Sequence, residues 1–162
     1  MPFLSQPATV ENRLFEGDVL ATRKLPMDVP ARSAKCLGRF PVDSFGTVEE
    51  RTRRFLAVAA DGCPDNDWQF QFYCNSHLGD AHVKAELAER DGKWTVTLST
   101  DKPAFFVWAD AYGIRGTFSD DSFTLLPGRP RTLVFTKRPG EKATFEDFRK
   151  AFSVTHLRES YD

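Results

Sequence analysis

The sequence predicts an all-β protein made of two sandwich-like units, with one short helix near its C-terminal end. Two observations support this prediction. The 162-residue chain contains 15 Phe beside only 10 Gly and 10 Pro, and aromatic residues fit the pleated, half-buried surface of a β-sheet. Turn residues also interrupt the apolar runs at intervals of about 8–12 residues, which is typical of a β-sandwich or a β-barrel.

The first half of the chain contains about five short apolar runs of strand length. They predict strands at Val10–Phe15, Val19–Leu25, Ala34–Val42, Arg54–Ala60 and Trp68–Cys74. In the last run, Trp68, Phe70 and Phe72 alternate with Gln69 and Gln71. Because successive strand residues point to opposite faces, we expect the aromatic face to be core and the glutamine face to be solvated.

The apolar pattern restarts after the polar stretch 75–80, and we predict a boundary there between residues 1–79 and residues 80–162. The second part predicts strands at Val83–Glu89, Trp94–Ser99, Ala104–Ala109, Ser122–Leu126, Arg131–Thr136 and Ser153–Leu157. Asp91-Gly92 predicts a tight hairpin between the first two strands, and Pro127-Gly128 predicts another between the fourth and fifth. The run Ala104–Ala109 is apolar at every position, so we expect a central strand or one covered by a neighbouring domain.

A short amphipathic helix is predicted before the last strand. Phe145, Phe148 and Phe152 recur at helical spacing, and Thr144 with Asp147 resembles a capping box. With this helix and its strands, residues 80–162 have enough elements for a complete immunoglobulin-like sandwich. About five strands are few for such a sandwich of seven, so we expect residues 1–79 to form only a partial one.

Composition excludes several classes of function. The 22 Lys and Arg residues balance 23 Asp and Glu residues, so neither nucleic acid nor an anionic membrane surface is expected as a partner. No apolar run approaches the ~18 residues of a membrane span. The first seven residues lack the pattern of a signal peptide, which predicts a cytoplasmic location. A catalytic (β/α)₈ barrel needs about 250 residues and does not fit in this chain.

The adjacent carboxylates Asp120 and Asp121 are the strongest candidates for acid–base chemistry. Glycoside hydrolysis needs two carboxylates that face one bond. Sequential residues entering a strand project to opposite sides, so these two are not expected to converge. We interpret them as turn-capping residues and predict no catalytic residue in the chain.

Histidines and cysteines do not predict a metal site, a catalytic thiol or a cofactor. His77 and His82 have only Asp80 as a close acidic neighbour, unlike the ligand clusters of zinc sites. The remaining histidine is His156, and the three cysteines are Cys36, Cys63 and Cys74. The odd number of cysteines argues against a disulfide framework, and we interpret the thiols as packing or incidental groups.

Aromatic residues could form a flat platform for sugar stacking. The candidates are Trp68, Trp94, Trp108 and Tyr112. Aromatic residues at strand positions usually pack in a core, so we expect the three tryptophans to be buried. Tyr112 precedes Gly113 in a predicted loop and is the best candidate for an exposed, substrate-binding aromatic.

One segment resembles a known family. Residues 105–110 read Phe-Phe-Val-Trp-Ala-Asp, and residues 116–128 read Gly-Thr-Phe-Ser-Asp-Asp-Ser-Phe-Thr-Leu-Leu-Pro-Gly. They resemble the C-terminal immunoglobulin-like domain of the β-mannosidases of glycoside hydrolase family 2, where the second segment reads Gly-x-Phe-Ser-Asp-Asn-x-Phe-x-Leu-x-Pro-Gly. The motif positions, to which we assign structural roles, are Phe118, Ser119, Asp120, Asp121, Phe123, Leu125, Pro127 and Gly128. Asp121 stands where the family usually has Asn.

The first unit has a second, shorter resemblance. Leu14–Leu20 and the later segment Met27–Ser33 are similar to the penultimate immunoglobulin-like domain of the same enzymes. The opening strands of that domain would precede Val10, where this chain has few residues. We therefore expect an open sheet edge in the first unit, and self-association by edge pairing or by exchange of the Val10–Phe15 strand.

The resemblance implies a non-catalytic role. The parent enzymes hydrolyse terminal β-mannosides with retention, using two glutamates on a central barrel that this chain does not contain. The chain is therefore expected to be an accessory region whose partner is the catalytic module of the parent glycosidase. Two alternatives stay open: a free-standing carbohydrate-binding module, and the accessory region of a related exo-β-glucosaminidase.

Overall fold

A computed structural model describes residues 7–30 and 32–161 of the chain. It divides into two compact units, Met1–Leu78 and Gly79–Asp162, here called unit 1 and unit 2. The described elements are mostly strands in antiparallel sheets, which confirms the predicted all-β fold class. The first six residues, on which the expectations about a signal peptide and opening strands depend, lie outside the described residues, as does Ala31. No helix in the described part is long and apolar enough to cross a membrane.

Unit 1 contains one four-stranded antiparallel sheet, in the order β2-β1-β3-β4. Its strands are β1 (Ala8–Leu14), β2 (Val19–Leu25), β3 (Arg54–Ala59) and β4 (Asn66–Gln69). The short helix α1 (Val48–Arg51) lies between β2 and β3. Thr47 and Glu50 form a capping box at its start, which satisfies backbone N–H groups that a helix N-terminus leaves unpaired. Single 3₁₀ turns occur at Val42–Phe45 and Tyr73–Asn75.

The sheet of unit 1 buries a pair of aromatic rings and a pair of opposite charges. The rings of Phe15 and Phe55 stack with their centroids 5.2 Å apart. On β1, Arg13 donates to the carboxylate of Glu11 at 2.8 Å, and both side chains are almost fully buried. Arg13 and Glu11 are two residues apart on a strand, so their side chains lie on the same face. Each buried charge is therefore paired with the opposite charge.

Two strand predictions in unit 1 are wrong. Residues 33–41 have irregular structure, not the strand predicted at Ala34–Val42. A strand needs a partner edge for its backbone groups, and this segment pairs with none of the four strands. The predicted strand Trp68–Cys74 is also too long, because pairing with β3 ends at Gln69. Consequently Phe72 is 79% exposed, not part of a core face.

Unit 2 contains seven described strands and one helix. Its elements are β5 (Val83–Arg90), β6 (Lys93–Thr100), β7 (Ala104–Ala111), β8 (Gly116–Phe118), β9 (Phe123–Leu125), β10 (Arg131–Lys137), α2 (Phe145–Ala151) and β11 (Phe152–Thr155). One sheet has the order β5-β6-β10-β8 and the other has the order β11-β7-β9. Side chains from both sheets contribute to one core, as in a sandwich.

The core of unit 2 is built around Phe148 of α2, which is completely buried. Its ring lies 4.9 Å from that of Phe135 and 5.1 Å from that of Trp94, centroid to centroid. Thr144 and Asp147 form the predicted capping box at the start of α2. The helix therefore begins at a fixed residue and places one phenylalanine between the sheets.

Turn chemistry predicted one hairpin of unit 2 and failed for the other. Asp91 and Gly92 both have positive φ, at 50° and 70°, and they join β5 to β6 as predicted. The hairpin predicted across Pro127-Gly128 is wrong, because β9 pairs with β7 and β10 pairs with β6 and β8. Only an isolated bridge, Leu126 to Arg129, closes that turn, so the chain changes sheets there.

Candidate docking surface

Strand β7 is the centre of its sheet and contains a strained residue. It pairs with β11 on one side and β9 on the other. Its pairing with β9 is irregular between Ala104 and Val107, and Phe106 has φ +51°. A bulky residue with positive φ is strained, and such strain concentrates at functional sites. The irregularity turns the Phe106 side chain outward, where it is 47% exposed.

Strand β7 has a buried face and an exposed face. It buries Phe105 and the smaller residues Val107, Ala109 and Ala111. The outer face carries Phe106 and Trp108, and Trp108 is 48% exposed. Two adjacent exposed aromatic side chains on a central strand make this face a candidate docking surface.

Polar residues lie beside Trp108 on the outer face. On the neighbouring strand β11, Ser153 lies opposite Asp110 and Thr155 lies opposite Trp108. The Thr155 hydroxyl donates to Glu159 at 2.8 Å. We name this face the outer β7 surface and define it by Phe106, Trp108, Asp110, Ser153 and Thr155. Its polar rim around an aromatic centre is the composition of a protein–protein interface.

The tryptophan predictions were correct for one residue of three. Trp94 is buried, as predicted. Trp68 is 52% exposed and Trp108 lies on the outer β7 surface, so neither is a core residue. The pattern could not place Trp108, because a strand that is apolar on both faces does not indicate which face is the core. At Trp68 the alternation with glutamines predicted a burial that the structure does not show. Tyr112 follows β7 and is 87% exposed; its role in sugar binding stays a prediction.

The motif residues around Asp120 make local contacts within unit 2. The Ser119 N–H donates to the Val134 carbonyl at 2.9 Å, and the Val134 N–H donates to the Ser119 hydroxyl at 3.0 Å. The Ser119 hydroxyl therefore adds one hydrogen bond beyond the backbone pairing of β8 with β10. Asp120 forms an ion pair with Arg131 and accepts a hydrogen bond from the Asp121 N–H at 2.9 Å.

The apolar motif residues pack inward and the motif ends in a turn. Phe123 and Leu125, two positions apart on β9, are both buried. The ring of Phe118 meets that of Phe135 edge to face, with centroids 5.0 Å apart. Gly128 has φ +73°, a conformation that glycine adopts without steric cost. These contacts are compatible with the structural roles predicted for the motif.

Two carboxyl groups of unit 2 have lowered pKa values because of local hydrogen bonds. The His82 backbone N–H donates to Asp101 at 2.8 Å, and with the His82 ring it lowers the pKa of that carboxyl to about 2. The backbone N–H groups of Ala143, Arg115 and Lys142 lower the pKa of Glu141 to about 2.

Neither the acidic groups nor the thiols suggest a metal centre. Within residues 7–30 and 32–161, no group of three His, Cys, Asp or Glu side chains is placed to hold a metal ion. All three cysteines are free and exposed, so of the two interpretations, packing or incidental thiols, the structure supports the second.

Comparison with known proteins identifies unit 2. The sequence model of the mannosidase family of Ig-fold domains matches residues 78–160. The chain belongs to this family. The match confirms the resemblance of the second part of the chain to the C-terminal immunoglobulin-like domain of β-mannosidases.

Relatives of this mannosidase Ig-fold domain are parts of much longer proteins. Mouse β-mannosidase is 30% identical over 84 residues, which are 52% of this chain and 9% of that protein. Goat β-mannosidase is 31% identical over 84 residues, with the same coverage. The crystal structure of a β-D-mannosidase from Dictyoglomus thermophilum aligns with 93% of this chain and 18% of its own, with a TM-score of 0.73 and 16% identity. At that identity the likeness shows the fold alone.

Proposed function

We propose that this chain is a non-catalytic C-terminal accessory region of a β-mannosidase-like glycoside hydrolase. Its role is to pack against the catalytic module and support it through the outer β7 surface. The family membership of unit 2 and the short share of each relative that it matches, 9% of mouse β-mannosidase, support this proposal. Unit 1 is proposed to be part of the penultimate immunoglobulin-like domain of the same protein.

The observation that carries the proposal is the exposure of Phe106 and Trp108 on a central strand. Aromatic anchors dominate protein interfaces when a partner desolvates them. Pairing on both sides of β7 holds them in fixed positions, so a partner need not order them on binding. The strained backbone of Phe106 is retained at a cost that a covered interface would offset.

The first test is the full transcript that encodes this chain. We expect it, or a frame directly beside it, to encode a glycosidase barrel. A transcript that encodes this chain alone, with no glycosidase frame beside it, contradicts the proposal.

The second test uses the barrel-containing module found in that way, co-expressed with the tagged chain. We expect the two to co-purify, and Trp108→Ser to abolish this. The matched control is Phe72→Ser, which removes an exposed aromatic from unit 1 and should leave the complex intact. The isolated Trp108→Ser chain should lose less than about 1 kcal/mol of stability, since the side chain is half exposed.

Two results would contradict the docking role. Co-purification that Trp108→Ser does not weaken would remove the outer β7 surface from the interface. Binding of a manno-oligosaccharide at Trp108 and Tyr112, with no protein partner, would favour the free-standing carbohydrate-binding module instead.

We also propose that the chain self-associates through β2 of unit 1. This strand is at the edge of its sheet and its residues are almost all exposed, including Val19 and Leu20. Unpaired backbone groups on such an edge favour pairing with another strand. Light scattering should report a dimer that Leu20→Lys converts to a monomer. A chain that stays monomeric at high micromolar concentration would exclude this association.

A further inference from the structure

A 3₁₀ turn at Leu157–Ser160 follows β11 in unit 2. Glu159 closes it, because its N–H donates to the His156 carbonyl at 3.1 Å and its carboxylate accepts from the His156 N–H at 3.1 Å. The residues of the turn are exposed or half-buried, and the turn belongs to neither sheet. Individual contacts of its side chains, not strand pairing, therefore hold it to unit 2.

His156 makes the first of these contacts. It is almost completely buried, and its Nε2 atom lies 3.2 Å from the carbonyl oxygen of Ala81. Because a carbonyl oxygen only accepts hydrogen bonds, Nε2 is the ring nitrogen that carries the hydrogen. Ala81 is also buried, so loss of this donor would leave a buried acceptor without a partner, which is costly.

Arg158 makes the second contact, with the residue before Ala81. Its Nε atom lies 3.1 Å from Oδ1 of Asp80, and both side chains are partly exposed. An ion pair with this exposure is weak by itself. Together, however, the two contacts hold two consecutive residues just before β5 begins at Val83.

These two held residues lie beside the boundary between the units. Unit 1 ends at Leu78, and His77 is still tied to unit 1, because its N–H donates to the Thr52 carbonyl at 3.0 Å. Within residues 7–30 and 32–161, neither Leu78 nor Gly79 forms a hydrogen bond with a distant residue. While the turn is in place, the connection between the tied ends is therefore only these two residues.

We propose that the turn Leu157–Ser160 is a strap that sets the length of the free connection between the two units. When the strap opens, both held residues are released and the connection grows to residues 78–81. His82 limits the release, because its N–H donates to Asp101 at 2.8 Å whether the strap is open or closed. Opening breaks the contacts of one exposed turn and no strand pairing, so it is a local event that leaves the core of unit 2 folded.

The strap is independent of the proposed docking role, because none of its residues belongs to the set that defines the outer β7 surface. It can be tested by NMR on the ¹⁵N-labelled full chain without any partner protein. Hydrogen exchange of the Glu159 N–H measures opening of the turn. Order parameters of Asp80 and Ala81 measure release of the connection, and in the unchanged chain they should equal those of the β6 amides.

Two variants weaken the strap at different contacts. His156→Leu removes the donor to Ala81, so exchange of the Glu159 N–H should become about tenfold faster. The order parameters of the two held residues should fall below those of β6. Arg158→Gln removes only the ion pair, and exchange of the Glu159 N–H should become about two- to fivefold faster.

Control variants separate the strap from a general loss of stability. His156→Gln keeps an N–H donor and should leave both measurements unchanged. Arg138→Gln changes an exposed arginine after β10 and is the matched control for Arg158→Gln. Exchange of the β6 amides should stay the same in every variant, since the core remains folded.

Three results would overturn the proposal. The first is an order parameter of Ala81 that His156→Leu does not lower. The second is exchange of the β6 amides that accelerates together with that of Glu159, which would show that the turn opens only when unit 2 unfolds. The third is unchanged exchange of Glu159 in Arg158→Gln, and this variant decides the matter even if His156→Leu does not fold.

Discussion

Replacement of Gly116 by alanine should destabilise unit 2 through one steric conflict. A Cβ atom at this position would lie 2.2 Å from Cζ and 2.6 Å from Cε1 of Phe135, and 2.8 Å from the Thr136 carbonyl oxygen. The ring cannot turn away freely, because it also contacts Trp94 and Phe148. The carbonyl belongs to β10, which pairs with β8, so relief requires a movement of the sheet.

The expected cost follows from two opposing effects. Overpacking of a core costs about 1–3 kcal/mol, and a contact with backbone favours the upper end of this range. Loss of glycine's freedom in the unfolded chain returns about 0.4–1 kcal/mol. We therefore expect Gly116→Ala to lower the free energy of unfolding by about 2 kcal/mol. For a unit of this size, the melting temperature should fall by about 8–16 °C.

Urea unfolding followed by Trp94 fluorescence measures this loss, because Trp94 lies in the same aromatic cluster. The control is Gly113→Ala, where a Cβ atom meets nothing within 4 Å and only the φ of +82° opposes the change. Adding Phe135→Leu to Gly116→Ala should recover part of the loss, and a double-mutant cycle should show coupling. A loss below about 0.5 kcal/mol for Gly116→Ala, or purely additive effects, would refute the close approach of the ring to the glycine.

Three further results are expected. Phe123→Ala should cost about 3–5 kcal/mol in denaturant melts, because its ring is only 8% exposed; a loss below about 1 kcal/mol would show that Phe123 is not a core residue. Glu141 has a pKa of about 2 against its usual 4.5, so its stabilising contribution is complete above about pH 4.5 and is lost as the pH falls towards 2. Glu141→Gln should make the free energy of unfolding less dependent on pH in this range. An unchanged dependence of stability on pH would contradict this. The isolated chain should release no aglycone from an aryl β-mannoside above background, and turnover that depends on any single Asp or Glu of this chain would show that it is catalytic.

The sequence predicted the elements that a few neighbouring residues determine, such as a tight turn or a helix start. Asp91-Gly92 is a sufficient reason for the β5–β6 hairpin, since its backbone conformation needs only these two residues. The capping box of Thr144 similarly marks the start of α2. The same kind of box at Thr47 was present in the sequence and would have predicted α1.

Features that depend on distant partners could not be predicted in this way. The segment Ala34–Val42 has the composition of a strand, yet it pairs with neither edge strand of the sheet. Strand β8 has only three residues, too few for a periodic pattern. The run Ala104–Ala109, apolar on both faces, predicted a central strand or one covered by a neighbouring domain, but not which of its side chains form the outer β7 surface.

The direct junction between α2 and β11 links the interior of unit 2 to the outer β7 surface. No residue separates Ala151 at the end of the helix from Phe152 at the start of the strand. Burial of Phe148 therefore sets which side chains of β11 face outward. A single residue inserted at this junction would exchange the two faces of β11. Val154 would then face the surface, and Ser153 and Thr155 would face the core. A partner that recognises this face would thus bind only chains whose helix has already docked, and recognition would act as a check on correct folding.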